Sequence, residues 1–130
     1  MTQESILGKS DLVAFVATTD SNKARAFYEG VLGLRLIEDE QPFALVFDAN
    51  GTMLRVATVQ KHNPDPFTVL GWGVESIEAT VDRLTAAGVE LQRYPGINDG
   101  HPKGIWTAPG GALVAWFKDP DGNVLSVTQF

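Results

Sequence analysis

The sequence predicts an α+β fold built from two tandem βαβββ modules, and three observations lead to that prediction. The stretch GTMLRVATV at residues 51–59 nearly recurs as GNVLSVTQF at residues 122–130, with Gly, Leu and Val in register. The order of strand, helix and further strands recurs in the two halves. A polar connector with two prolines, KHNPDP, separates them. We therefore place the first module at residues 1–60, the linker at residues 61–66 and the second module at residues 67–130, within one domain.

The first strand and helix follow from residue type and spacing. LVAFVATT is a run of β-branched and aromatic residues, which favours a strand. Asp20 or Ser21 can cap the next helix, because either side chain accepts a hydrogen bond from the unpaired N–H groups of its first turn. Gly33 suits the position just beyond the end of that helix. Apolar residues recur between these limits at the spacing of one helix face: Ala24, Phe27, Tyr28, Val31 and Leu32.

Three more strands complete the first module. LRLIED begins the second strand, and PFALVFD and TMLRVATV form the third and fourth. Asn50 and Gly51 lie between the last two strands. Because both residues tolerate a positive φ, an Asn-Gly pair between apolar runs predicts a tight hairpin.

The second module repeats this order. FTVLGWGV predicts a strand, and Ser76 is suited to cap the helix that follows, whose apolar stripe is Ile77, Val81 and Leu84. VELQRY, GIWTA, ALVAWF and NVLSVTQF then predict strands. We interpret the glycine-rich PGGA as a hairpin turn and not as a phosphate-binding loop, because no helix follows it.

Composition and charge narrow the class of partner. The net charge of −6 argues against binding to nucleic acid or to an anionic membrane surface. The apolar runs are far shorter than the roughly 20 residues of a membrane span, and the start MTQESILGKSD does not resemble a signal peptide. The absence of cysteine excludes disulfides and thiolate chemistry. We therefore expect a cytoplasmic protein with neither a nucleic-acid nor a membrane partner.

Two motifs, together with the doubled order of elements, resemble a known family. AFYEGVLGL follows the first strand, and FKDPDGNVLSV stands near the end of the chain. With these motifs in place, the chain from about residue 11 to residue 130 resembles the vicinal oxygen chelate superfamily of glyoxalases, bleomycin resistance proteins and extradiol dioxygenases. The resemblance implies curled, cup-like mixed sheets with the helices outside. It identifies the superfamily and not the reaction.

The resemblance also implies where a metal ion would bind. In metal-using members, the first and last strands of each module supply one ligand each, and the ion then binds two neighbouring substrate oxygens. These positions fall at Val13, Arg55, Val69 and Ser126. Valine cannot coordinate an ion, arginine repels one, and a neutral serine hydroxyl is a poor ligand. We therefore expect no metal and no other cofactor.

Few other residues are candidates for chemistry. His62 and His101, the two histidines, lie in the linker and in a Gly/Pro-rich loop without the spacing of a ligand pair, and we interpret both as solvated. Ser126 has no histidine at a predictable neighbouring position, so no activated nucleophile is indicated. We expect no catalytic residue.

Strand alternation predicts which side chains line the cup. It places Trp72 on the opposite face but assigns neither Trp106 nor Trp116, because the final turn of the second module is one residue longer. Residues 94–104, just before Trp106, are a candidate lid. The candidate ligand-binding residues are Val13, Phe15, Arg55, Val69, Trp106, Ser126 and Thr128.

Arg55 admits two interpretations. A guanidinium in a mostly apolar cup is costly without an anionic partner. Either a carboxylate or phosphate of a ligand binds it bidentately, or the guanidinium pairs with an internal Asp or Glu or extends to solvent. The sequence leaves both open.

The resulting hypothesis is a metal-independent small-molecule-binding protein of the glyoxalase/bleomycin-resistance type, with an aromatic or acidic organic ligand in the cup. By resemblance, we also expect a homodimer. One alternative is a glyoxalase-like lyase or dioxygenase-like enzyme with an atypical site. The other is a non-catalytic interaction module whose cup is filled by its own side chains. The sequence does not decide whether the modules pair within one chain or between chains.

Overall fold

The computed structural model describes residues 5–130 and contains two four-stranded mixed sheets. Residues 1–4 lie outside the described residues. They include the start of the predicted first module and of the segment MTQESILGKSD. The elements are β1 (Val13–Thr18), α1 (Ser21–Arg25), a π-helical segment (Ala26–Val31), β2 (Arg35–Glu40), β3 (Ala44–Ala49), β4 (Thr52–Thr58), β5 (Thr68–Gly73), α2 (Ile77–Ala86), β6 (Trp106–Thr107), β7 (Leu113–Lys118) and β8 (Val124–Gln129). Neither helix in residues 5–130 is long and apolar enough to cross a membrane.

The two sheets have the same topology. Sheet 1 has the strand order β1-β4-β3-β2, and sheet 2 has the order β5-β8-β7-β6. In each sheet the first and last strands of the module are parallel neighbours, and the other pairs are antiparallel. The predicted α+β fold of two tandem modules is confirmed.

The first helix is capped as predicted but changes its winding. Asp20 accepts a hydrogen bond from the Lys23 N–H at 3.1 Å. From Ala26 the helix widens into the π-helical segment, in which the Leu32 N–H donates to the Phe27 carbonyl at 2.9 Å. The expectation of one continuous α-helix is therefore wrong for its second half. The wider turn accommodates the adjacent aromatic residues Phe27 and Tyr28, which are both buried.

The two predicted hairpins are confirmed. Asn50 and Gly51 have φ angles of 50° and 96°, and the Gly51 N–H donates to Asp48 Oδ1 at 3.0 Å. The PGGA stretch turns between β6 and β7, where the Gly111 N–H donates to the Ala108 carbonyl at 2.9 Å. Both turns need the positive φ that glycine adopts without strain.

The prediction of a strand at VELQRY is wrong. Only Leu91 forms a bridge, to Phe117, and the Gln92 N–H donates to the Trp116 carbonyl at 2.8 Å. The two-residue strand β6 then pairs with the other end of β7. Two short segments, the bridge at Leu91 and strand β6, therefore form the edge of sheet 2 beside β7. Residues 93–105 connect these segments outside the sheet. We call residues 93–105 the insert.

The two modules share one hydrophobic core within the chain. Leu54, Val56, Leu125 and Val127 are buried, as predicted, although Val124 and Ser126 on the other face of β8 are buried too. Residues from both sheets, the first helix and α2 form a single buried cluster. We call the sheet faces that contribute to this cluster the core faces, and the opposite faces the open faces.

The aromatic residues of the first helix contact both sheets. Phe27 lies 6.4 Å from Phe117 of sheet 2, measured between ring centroids. Tyr28 lies 6.0 Å from Phe47 of sheet 1. The helix therefore joins the core faces of the two sheets of this chain.

The turn at residues 119–123, DPDGN, connects the modules, and we call it the clasp. Asp119 is 6% exposed and accepts the Tyr28 hydroxyl at 2.7 Å. The same carboxylate accepts the Asn123 side-chain amide at 2.8 Å and the backbone N–H groups of Asp121 and Asn123 at 2.9 Å. Burial, together with the charge of Asp119, raises the pKa of Tyr28 far above its ordinary value, so the hydroxyl remains a donor.

The other clasp side chains bind the end of β1. Asp121 accepts hydrogen bonds from the Thr18 hydroxyl and, at 2.8 Å, from the Thr19 N–H. Asn123 donates to the Ala17 carbonyl at 2.9 Å. Burial alone raises the pKa of the Asp121 carboxyl, but the hydrogen bonds from Thr18 and Thr19 outweigh it and hold that pKa below its ordinary value.

Candidate functional site

The open face of sheet 1 carries the first-module candidates. In the strand register, Phe15 of β1 and Val46 of β3 flank Arg55 of β4. Val13 is 38% exposed, Phe15 62% and Met53 39%. This face therefore presents apolar side chains to the surroundings, with one arginine among them.

Arg55 has an internal partner. Its Nη2 donates to Glu40 Oε1 at 2.7 Å, and the two side chains are 30% and 34% exposed. This is the second of the two interpretations that the sequence leaves open. An anionic ligand would have to compete with Glu40 for the guanidinium, so a ligand-binding role for Arg55 stays a prediction.

The open face of sheet 2 carries the second-module candidates. Val69 is 41% exposed, whereas Ser126 is 7% exposed and Thr128 is half-buried. Gly71 lies opposite Ser126 in the strand register. A side chain at Gly71 would come within 2.7 Å of Ser126 Oγ, so the glycine makes room for this hydroxyl.

The strand register places both unassigned tryptophans on this open face. Trp116 pairs with Ser126 on the neighbouring strand, and Trp106 pairs with Val114, which pairs with Thr128. Directly paired residues point to the same side of a sheet. Trp106 and Trp116 therefore share a face with Ser126 and Thr128.

A pocket of about 360 Å³ lies beside these tryptophans, and we call it the aromatic pocket. The ring centroids of Trp106 and Trp116 are 5.9 Å apart with an angle of 33° between their planes. Tyr94 packs edge-on against Trp116 at 5.4 Å. The lining consists of Pro66, Phe67, Thr68, Tyr94, Ile97, Trp106, Trp116 and Val124.

The insert forms one wall of the aromatic pocket and is held by a buried amide. Asn98 is 2% exposed, and its Oδ1 accepts the Tyr94 N–H at 2.8 Å. Its Nδ2 donates to the carbonyls of Gln92 at 2.9 Å and Gly104 at 2.7 Å. The candidate lid is therefore an internally hydrogen-bonded wall. Sequence reasoning missed Asn98, although an asparagine within a Gly/Pro-rich loop commonly bonds to nearby backbone.

The interpretation of the two histidines as solvated is wrong. His62 Nε2 lies 2.6 Å from Asn123 Oδ1 of the clasp. His101 Nδ1 accepts the backbone N–H groups of Lys103 at 3.0 Å and Ile105 at 3.2 Å, inside the insert. Both side chains are half-buried; His101 bonds within the insert, whereas His62 bonds to the distant clasp.

The four implied ligand positions do not fit a divalent cation. Val13 and Val69 have no donor atom, and Arg55 brings a positive charge that is paired with Glu40. Ser126 supplies a single neutral hydroxyl. Elsewhere in residues 5–130, no three His, Cys, Asp or Glu side chains are arranged to hold a metal ion.

The structure divides the candidate residues between two faces. Sheet 1 carries Val13, Phe15 and Arg55, and sheet 2 carries Val69, Trp106, Ser126 and Thr128. Both open faces lie opposite the shared core. In the described part of the chain, no hydrogen bond, ion pair or ring contact joins the two groups.

A second pocket lies between the modules on the core side. It has a volume of about 380 Å³, and we call it the cleft. Trp72 lines the cleft, which agrees with its predicted position on the face opposite Val69. The other lining residues are Val31, Leu32, Leu34, Gly73, Val74, Thr80, Arg83, Leu84, Ala87, Phe117 and Val127.

Comparison with known proteins agrees with the fold. Residues 10–127 match the model of the Glyoxalase/Bleomycin resistance protein/Dioxygenase superfamily. The chain is 29% identical over 125 residues to a Vibrio cholerae serotype O1 protein named "Probable lactoylglutathione lyase", covering 85% of this chain and 83% of that protein.

Two crystal structures illustrate the likeness in three dimensions. One is a Bacillus anthracis protein assigned to the glyoxalase family, with a TM-score of 0.76, 19% identity and 98% of both chains covered. The other is a lactoylglutathione lyase from Agrobacterium tumefaciens, with a TM-score of 0.71, 16% identity and 92% of this chain and 93% of that chain covered. At these identities the likeness extends to the fold alone.

Proposed function

Because the chain belongs to the Glyoxalase/Bleomycin resistance protein/Dioxygenase superfamily, we propose that it is a metal-independent member that binds a small organic molecule on one of its open sheet faces. The donor set at the four implied ligand positions carries this proposal. It contains no carboxylate and no imidazole, whereas the surrounding faces expose apolar side chains such as Phe15 and Val69. Apolar surface with a few polar points is typical of small-molecule sites.

A glyoxalase-like lyase is the second candidate. The name of the Vibrio cholerae relative favours it, and the four positions without suitable donors argue against it. An interaction module, the third possibility, would have its open faces covered by its own side chains or by a partner. Phe15 is 62% exposed, which argues against an open face that is covered by the protein's own side chains.

A thermal-shift comparison tests the proposal. We expect planar aromatic compounds and aromatic acids to raise the melting temperature without added metal. Because ligand at 100 times its Kd stabilises the folded state by about 2.7 kcal/mol, the shift should be on the order of 10 °C. Mg²⁺, Mn²⁺, Ni²⁺ and Zn²⁺ should leave the melting temperature unchanged, because the implied positions offer no suitable donor set.

Each opposite result identifies one alternative. Stabilisation by a divalent ion, accompanied by lactoylglutathione lyase activity that depends on that ion, would replace the proposal with the enzyme. An unchanged melting temperature with every organic compound and every ion would favour the interaction module.

We also propose that the protein is a homodimer in which the open face of sheet 1 contacts a second copy. Leu12, Val13, Phe15 and Met53 expose apolar surface along or beside β1 and β4, and clustered exposed apolar residues commonly mark an interface. Light scattering should give a mass of twice 14.0 kDa. Phe15→Glu should give the monomer mass, because it would bury a carboxylate in that interface without a partner.

Phe130→Glu is the matched control for the dimer. Phe130 is 96% exposed and lies outside β8, so its substitution should leave the mass at that of a dimer. A monomer mass for the unsubstituted protein at all concentrations would contradict the proposal.

A further inference from the structure

We propose that the aromatic pocket is the part of the open faces that holds the ligand, and that it takes an uncharged planar aromatic ring system. This inference rests on the proposed function and adds to it a location and a chemical class. The pocket lies in the second module, whereas Arg55, the candidate partner for an anionic ligand, lies in the first.

Ring surface is the first observation that supports this class. Trp106, Trp116 and Tyr94 form a continuous aromatic cluster, with centroid distances of 5.9 Å and 5.4 Å. Phe67 adds a fourth ring and is 59% exposed, so its apolar surface is available to a ligand. Offset and edge-on ring contacts contribute more than the buried area alone, which favours an aromatic ligand over a saturated one of equal size.

The absence of charge in the lining is the second observation. The eight lining residues include no acidic and no basic side chain. Burying an ionised group without a partner is costly. A carboxylate or an ammonium group on the bound ring system would therefore reduce affinity.

The hydrogen bonds of the insert are the third observation. Asn98 accepts a hydrogen bond from the Tyr94 N–H. Its side-chain amide also donates to the carbonyls of Gln92, just before the insert, and of Gly104, near the end of the insert. Tyr94 and Ile97, which line the pocket, therefore have their backbone held before a ligand arrives. Such pre-organisation lowers the entropic cost of binding. Asn98 is thus a positioning residue for the aromatic pocket.

The other two sites suit this class of ligand less well. The cleft is lined partly by Arg83, and two of its walls are helices. The open face of sheet 1 contains the Arg55–Glu40 ion pair. An uncharged ring placed on either site would remove water from a charged side chain without replacing its interactions.

Four side chains report separately on the three sites in an NMR titration. Trp106 and Trp116 line the aromatic pocket, and Trp72 lines the cleft. Met53 lies on the open face of sheet 1. Their indole N–H and methyl signals can be followed while 2-naphthol is added to the intact protein. Trp→Phe variants assign the indole signals.

We expect 2-naphthol to shift the Trp106 and Trp116 signals and to leave those of Trp72 and Met53 in place. Decahydro-2-naphthol, the saturated analogue, and 2-naphthoate, the anionic analogue, should each bind about tenfold more weakly. Trp116→Ala should weaken 2-naphthol binding about tenfold or more, since it removes the central ring. Phe43→Ala, at an exposed side chain beside sheet 1 that does not line the pocket, should leave the affinity unchanged.

Asn98→Ala tests the positioning role. It should weaken 2-naphthol binding several-fold and shift the Trp116 signal even without ligand, because Tyr94 loses its edge-on position. The Trp72 signal should stay in place. A shift of that signal would show that the variant disturbs the fold as a whole. Glu90→Ala, at an exposed side chain just before the insert, should change neither the affinity nor the Trp116 signal.

Several outcomes would overturn the inference. A shift of Met53 alone would move the ligand to sheet 1 and leave the proposed function standing. A shift of Trp72 alone would place it in the cleft and overturn both. Trp106 and Trp116 signals that change with protein concentration in the absence of ligand would show that a second copy covers the pocket. Equal affinity for 2-naphthoate would refute the uncharged class, and no shift with any of the three compounds would refute the site.

Discussion

Asp119→Ala should destabilise the protein by about 3–5 kcal/mol, because it removes the acceptor at the centre of the clasp. The substitution leaves the Tyr28 hydroxyl, on a side chain with 0% exposure, without its partner at 2.7 Å. It also removes the acceptor of the Asn123 amide and of two backbone N–H groups. Since the modules meet at this turn, the loss affects the whole molecule. Urea denaturation followed by circular dichroism would measure the change.

Asp65→Ala is the matched control for this experiment. Asp65 is an exposed carboxylate in the linker, and its replacement should change the free energy of unfolding by less than about 0.5 kcal/mol. The loss of stability in Asp119→Asn should lie between those of Asp119→Ala and Asp65→Ala. An amide retains one acceptor oxygen but places a donor group against N–H groups. If Asp119→Ala and Asp65→Ala had the same effect, the clasp would contribute nothing to stability.

The elements that sequence reasoning predicted correctly are those with a local physical cause. Asp20 and Ser76 cap helices because their side chains reach N–H groups three residues away. Asn50 and Gly51 turn the chain because they tolerate a positive φ. The faces of Leu54 and Leu125 follow from the two-residue period of a strand, which needs no knowledge of the rest of the fold.

The errors arose where distant parts of the chain decide the conformation. VELQRY has the composition of a strand, but the insert occupies the length that a full edge strand would need. The first helix widens in the segment where Phe27 and Tyr28 pack on different sheets, and no spacing rule predicts those contacts. His62 has a partner, Asn123, that is 61 residues away along the chain.

The candidate site shows the same division. Alternation placed Val13 and Arg55 on the face of sheet 1 opposite Leu54, where both are partly exposed. Residue chemistry alone argued against a metal at the four implied positions. The sequence could not identify Glu40 as the partner of Arg55, since that contact depends on the side chains meeting across sheet 1. It also could not show that Asn98 would bring Tyr94 beside Trp116.

Phe117→Ala should destabilise the protein by about 3–5 kcal/mol through loss of buried apolar surface and the cavity left behind. Phe117 is 1% exposed, lies on β7 of sheet 2 and contacts Phe27 of the first helix. Because one core serves both modules, we expect a single unfolding transition at a lower melting temperature. Calorimetry would measure both the shift and the number of transitions.

Hydrogen exchange would then test whether the core is shared. In Phe117→Ala, amides of β4 in sheet 1 should exchange faster by the same factor as amides of β8 in sheet 2, since both require the same global opening. Phe43→Ala, at a side chain that is 77% exposed, should alter neither rate nor melting temperature appreciably. If exchange accelerated in sheet 2 alone, the modules would unfold independently, and the first helix would not couple them. Coupling would mean that a ligand held in the aromatic pocket of sheet 2 also stabilises sheet 1, because binding to the folded state stabilises every element that unfolds with it.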